Sequence, residues 1–233
     1  MPRGYDALAA NYGLLLDVRM REGVGALTHD WARPHHEDIA LVNTPTWTVR
    51  AASGVEYLAF AAATHEYLNL PAADSGDLDF TAGNFSGVAW VNTNATGNRY
   101  VFCKAVAGWA TGWAFYIPAT AGPPLALVTF QAGPTSQYTY SSSIGTNAWR
   151  MVGFSRDGAS VRIYVDGEDA TVTPATHIDP DSAAAADFVM GATQAGAAGW
   201  WSGSMWGHRV WNRALSASEF KALFEFERDL WAV

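Results

Sequence analysis

Trp149-Arg-Met-Val-Gly-Phe-Ser-Arg-Asp-Gly158, followed at once by Ser160-Val-Arg-Ile-Tyr-Val-Asp-Gly-Glu168, reads as a β-hairpin. The first arm runs from Trp149 to Ser155. Arg156-Asp157-Gly158 makes the turn, because Asp-Gly accepts the left-handed backbone that tight hairpin turns need. In the second arm Val161, Ile163 and Val165 face one side, and Arg162, Tyr164 and Asp166 face the other. Asp166-Gly167 supplies a second turn. A slip of one residue would carry all three aliphatic side chains to the wrong face, so this pair fixes the register of its neighbours.

The same short-strand pattern extends in both directions. Upstream lie Leu14 to Met20, Ile39 to Val42, Thr46 to Val49, Tyr57 to Phe60, Tyr67 to Leu70, Phe85 to Val91, Tyr100 to Lys104, Trp113 to Ile117, Leu125 to Phe130 and Tyr138 to Tyr140. Downstream lie Asp187 to Met190 and Ser204 to Trp211. Turn residues recur about every eight to twelve positions, the spacing of a sandwich or jelly roll. Ala26 to His36 and Ala183 to Ala186 read as loop. One helix is legible: Ser216-Ala-Ser-Glu219 forms a capping box, and Phe220, Leu223 and Phe224 give it one apolar face. Leu230 and Trp231 tuck the tail onto the sandwich. The fold class expected is all-β, an antiparallel two-sheet β-sandwich with a short C-terminal helix, in which residues 1–13 form an N-terminal arm and residues 14–233 one domain.

Composition narrows the function. The 233 residues include 49% hydrophobic and only 15% charged residues, which excludes a disordered chain. The net charge of -8, with no run of Lys or Arg, argues against nucleic acid and anionic membranes as partners. No stretch reaches the roughly 18 apolar residues of a membrane span, and Met1 to Ala7 lacks the apolar core of a secretory signal. Synthesis in the cytosol is therefore expected. The single cysteine, Cys103, sits in an apolar strand pattern and reads as a buried small hydrophobe.

Several segments resemble the laminin-G-like branch of the concanavalin A-like jelly rolls: Leu78 to Phe80, Phe85 to Val91, Trp149 to Gly158, Val161 to Glu168 and Gly203 to Ser216. The resemblance covers roughly residues 14–225 and includes Leu14 to Glu22, Asp30 and Leu41 to Trp47. It implies a fold shared by lectins, glycosidases, adhesion modules and virion proteins, so function has to be argued from the site.

A glycosidase needs two carboxyl groups about 5–9 Å apart across the scissile bond. The glucanase pattern of alternating acids on one strand is missing, Asp77 and Asp79 lie in a turn-rich loop, and Glu225 to Asp229 read as a solvated helix face. The chain is therefore expected to be no enzyme. Family members that bind calcium use an Asp in the opening loop, matched here by Asp30, and an acidic pair in a late strand, where this chain has Trp206 and Gly207. His35 and His36 lack a third metal ligand nearby. No cofactor or metal is expected.

Sugar lectins stack rings on aromatic side chains. Trp109, Trp113, Trp200 and Trp201 lie in or beside glycine-rich loops, with Gln194 and Gln137 as polar neighbours and Trp206 in the divergent late strand. Such a Trp is either an exposed platform or a plug that closes the sandwich. An acidic, aromatic-rich chain without a leader resembles laminin-G-like proteins of tailed bacteriophages. That resemblance implies a virion component, placed on heads, tails or fibres and partnered by other virion subunits or by itself. The alternative is a free-standing carbohydrate-binding module.

Overall fold

The structure, a computed structural model, describes residues 11–32, 38–120, 122–133 and 135–233. Most of the expected N-terminal arm, and the His35-His36 pair, lie outside the described residues.

Among the described residues, two antiparallel sheets pack face to face, and a single α-helix lies on one of them. The first sheet runs in the order β14 (Glu168–Asp169), β13 (Ser160–Val165), β12 (Arg150–Asp157), β7 (Phe85–Thr93), β17 (Gly203–Trp211), β5 (Glu56–Phe60) and β4 (Thr46–Val49). β1 (Leu14–Val18) pairs with the second half of β17. The second sheet runs β15 (Thr171–Thr173), β11 (Thr135–Ser143), β10 (Pro124–Gln131), β9 (Gly112–Ile117), β8 (Arg99–Ala105), β16 (Phe188–Met190), β6 (Tyr67–Leu70), β3 (Asp38–Val42) and β2 (Leu27–His29).

The organising hairpin is β12–β13. Its ladder continues past Ser155 to the pair Asp157–Ser160, so the turn is Gly158-Ala159, with Gly158 at φ +56°. Arg156 is therefore a strand residue, not part of the turn. It is buried, and its guanidinium donates to Gly83 O and to Asp179 Oδ1, both at 2.6 Å. Val161 and Ile163 point into the core as the alternation requires. Between the sheets, Phe85, Phe102, Trp113, Phe115, Phe154 and Phe188 form a ring cluster with centroid separations from 5.1 to 6.4 Å. Each fully buried Phe of this kind contributes about 1.5–3 kcal/mol relative to an exposed one.

Helix α1 (Ala217–Trp231) starts at the expected capping box, with Ser216 Oγ accepting from Glu219 N and the Glu219 side chain accepting from Ser216 N. It runs through Leu230 and Trp231, which read as a tail in the sequence. It covers the outer face of the first sheet: Phe220 stacks on Tyr164 at 4.0 Å, and Trp231 packs against Trp90, Trp149 and Trp206. Gly153 permits this approach, because a Cβ there would meet the Phe220 ring at 2.7 Å. The Glu225 to Asp229 stretch is not wholly solvated. Glu227 is fully buried, accepting from Trp90 Nε1 at 2.6 Å and from Arg209 Nη2 at 2.8 Å.

A β-bulge in β17 arranges this contact. Trp206 pairs with Trp90 and Arg209 with Val88, so Gly207 and His208 together oppose one residue. Gly207 takes φ +65°. The extra residue puts both Trp206 and Arg209 under the helix while His208 turns into the core, edge-on to Phe102 at 5.3 Å.

Candidate functional site

Among the described residues no α-helix lies on the outer face of the second sheet, and that face is unusual for a solvated sheet surface. Pairing puts Tyr100 beside Tyr116, Ala126 beside both Tyr116 and Tyr140, and Val128 between Ala114 and Tyr138. These positions alternate with the core residues Phe115 and Leu127, so they face outward. Cys103, Ala105, Ala114, Val128, Phe130 and Val189 form a second apolar cluster there, separate from the inter-sheet core. Polar residues normally hold such positions when one face of an antiparallel sheet meets water.

The cluster floors a groove of about 300 Å³ lined by Asn98, Tyr100, Gly108, Trp109, Tyr116, Phe130, Thr135, Ser136 and Tyr138. Trp109 forms its wall. It sits in the β8–β9 turn, donates its N–H to Val106 O, and adopts φ +60°, a left-handed conformation rare for an aromatic residue. The conformation lays the indole over the sheet, stacked on Tyr100 at 5.5 Å and against Phe130 at 5.4 Å. Tyr100 in turn stacks on Tyr116 at 4.7 Å, and Tyr138 on Tyr140 at 6.0 Å. Trp109, Tyr116 and Tyr138 are half-buried, and their side-chain polar atoms make no hydrogen bond to any described residue. Burial raises the phenol pKa of Tyr100 and of Tyr116, so both stay neutral donors. Burial pushes the Cys103 thiol, in the apolar cluster of the same face, up to about 12, which keeps it protonated and inert.

Beyond Tyr100, the loop Thr193 to Trp200 lies beside the groove. Gly199 O accepts from Tyr100 N, and Trp200 donates Nε1–H to Gly196 O at 2.9 Å while stacking on His65 at 3.6 Å. Gln194 is half-buried in this loop, its Oε1 buried.

The six residues singled out in the sequence therefore divide. Trp109 walls the groove, and Trp200 and Gln194 belong to the adjacent loop. Trp113 lies in the inter-sheet core, donating Nε1–H to Leu78 O, and Trp201 is fully buried as well. Trp206 is wedged under the helix and lines a separate cavity of about 290 Å³ with Arg19, Arg21 and Glu56. Gln137 bonds to Thr129, Gln131 and Ile178 rather than to the groove. The groove tyrosines were missed because they lie within strands, among other aromatic residues, rather than in glycine-rich loops. The available signal was that Tyr100, Tyr116, Tyr138 and Tyr140 fall at outward positions once the strands are paired.

No carboxylate lines the groove, so it lacks the paired acids that glycoside hydrolysis needs. Asp79 accepts from Ser182 Oγ and Ala183 N. Asp30 Oδ1 accepts from the backbone N–H groups of Asp17 and Ala32. Among the described residues no three His, Cys, Asp or Glu side chains gather as a metal site.

The family model described as the concanavalin A-like lectin/glucanases superfamily matches residues 63–221, and the chain belongs to that family. No curated protein matches the chain. Among similar solved structures is the receptor binding domain of a botulinum neurotoxin mosaic serotype C/D, at 13% identity and TM-score 0.66, with 93% of this chain and 51% of that one covered. The binding domain of botulinum neurotoxin DC in complex with SialylT aligns at 10% identity and TM-score 0.66, over 93% and 51%. A third is from botulinum neurotoxin type C, described as interacting with two ganglioside molecules, at 11% identity and TM-score 0.65, over 93% and 52%. The chain spans about half the length of the solved structures it matches.

These matches overturn the bacteriophage expectation. The similar structures named above are from botulinum neurotoxin binding domains and not virion proteins, which contradicts the virion role, the virion-subunit partners and the virion location. An acidic, aromatic-rich composition does not distinguish a virion subunit from any other sandwich of this family.

Proposed function

We propose that the protein binds carbohydrate, with the groove on the open sheet as the binding site. The observation that carries this reading is the wall and floor of that groove: Trp109 held over Tyr100 and Phe130, with the hydroxyls of Tyr100, Tyr116 and Tyr138 uncommitted. Aromatic faces accept the C–H face of a sugar ring, and free hydroxyl and indole donors meet its hydroxyls. The family and the ganglioside and SialylT ligands of similar structures are consistent with it.

A glycan array tests the proposal. Selective binding is expected, and Trp109→Ala should weaken it by at least about tenfold, the scale of 1.4 kcal/mol from one stacking platform. Unfolding temperature measured in parallel separates lost contact from lost fold. Selective binding that survives Trp109→Ala undiminished would place the site elsewhere.

A further inference from the structure

We infer that the sugars entering this groove are neutral, and that a sialylated or otherwise anionic ring is excluded from it; the inference rests on the groove being the carbohydrate site.

Charge is the observation that separates the possibilities. The groove is lined by Asn98, three tyrosines, a Trp, a Phe, Gly108, Ser136 and Thr135, without one Lys or Arg. Outward positions on β8, β9, β10 and β11 hold Tyr, Cys, Ala, Val, Phe, Gly and Ser. Lys104 lies on β8 but pairs with Trp113 and faces inward, its Nζ donating to Ser75 Oγ and Ala186 O. Arg99, at the start of β8, pairs with the core residue Ile117 and turns Nη1 back to Asn98 O at 2.7 Å. On the same sheet a carboxylate, Asp187, accepts from Asn69 Nδ2 and Ala72 N and adds to the rise that burial causes in the pKa of Tyr67.

A carboxylate brought into such a groove would lose water and gain no cation, which costs more than neutral hydrogen bonds return. The chain's net charge of -8 adds long-range repulsion. A neutral sugar has neither problem. Its hydroxyls meet phenol, indole, amide and hydroxyl groups, and its C–H faces meet Trp109 and Tyr138. The trough crosses β8 to β11, three strand spacings or about 14 Å, longer than a single ring. The ligand class is therefore a neutral oligosaccharide.

The test titrates the full chain with cello-oligosaccharides, lactose and N-acetyllactosamine, and with the sialylated forms of the last two. At least one neutral probe should bind. Sialylation should weaken binding by about tenfold or more, since the desolvated carboxylate finds no partner. Affinity for the neutral probe should change less than about twofold between about 0.05 and about 0.5 M NaCl, because no ion pair is formed to be screened. Ser136→Trp, which fills the groove opposite Phe130 from the solvent side, should abolish binding at an unchanged unfolding temperature. Sialylated probes that bind as tightly or more tightly, lose affinity with salt and are still blocked by Ser136→Trp would overturn the inference and leave the groove as the site. Binding of neither class would remove the groove as the site, and the inference would fall with it.

Discussion

Mild acid should destabilise this domain through two buried histidines. His177 is held between Thr129 Oγ1 on Nδ1 at 2.9 Å and Thr139 Oγ1 on Nε2 at 3.0 Å, and burial with the nearby Arg156 lowers its pKa from the usual 6.5 to about 4. His208 lies edge-on to Phe102 in the core, and neither ring nitrogen has a hydrogen-bond partner among the described residues. Burial, with Arg209 beside it, lowers its pKa to about 3. Both rings are neutral in folded and unfolded chains at about pH 7, so neither affects stability there. Below about pH 6.5 the unfolded chain takes up protons that the folded chain refuses, and stability falls with pH until the folded values are reached. Each pKa unit of difference is worth about 1.4 kcal/mol, so by about pH 4.5 the two rings together remove about 5 kcal/mol. That is a large part of the roughly 5–15 kcal/mol that holds a domain folded. Glu219, lowered to about 2 chiefly by its hydrogen bond with Arg213, adds its own loss only below its usual value of 4.5. Urea unfolding at a series of pH values checks the figure. His208→Leu should remove about half of the slope, and it should be no less stable at neutral pH, since it replaces an unpartnered buried imidazole by an apolar side chain. An unfolding free energy at about pH 4.5 within about 1 kcal/mol of its neutral value, or an unchanged slope in His208→Leu, would refute the reasoning.

Glu227→Ala should cost about 3–5 kcal/mol, because it leaves the buried Arg209 guanidinium and Trp90 Nε1 without their shared acceptor. Denaturant melts of this variant and of Glu225→Ala, an exposed neighbour expected to lose under about 0.5 kcal/mol, make the comparison. Cys103, buried with its thiol pushed up to about 12, should resist thiol reagents in the folded protein and react only as fast as the site opens. Labelling at the rate of a free thiol would show that the apolar cluster around Cys103 is not closed.

Strands were legible where apolar or β-branched residues run between turn residues. Thr46–Val49 and Tyr67–Leu70 match their sequence bounds in full, and β12–β13 differs mainly in where its turn falls. The helix start was legible too, because a capping box is local chemistry. The strand at Leu27–His29 and the short pieces at Glu168–Asp169 and Thr171–Thr173 were not, since pairing partners rather than their own residues make them strands. Of the site, only Trp109 and its neighbours Gln194 and Trp200 could be named in advance. Trp113 and Trp201 have the same glycine-flanked look, yet the sandwich swallows them.

The sequence by itself determined the all-β sandwich and the terminal helix, because hydrophobic alternation, turn residues and caps act over a few positions. It did not determine which Trp is platform and which is plug, nor that Glu227 and Arg209 are buried together. Those follow from one bulge at Gly207 and from the pairing of β8 to β11, which bring Tyr100, Tyr116 and Tyr138 from distant positions onto one face. Burial and register belong to the packed molecule, and the groove exists only once the strands lie side by side.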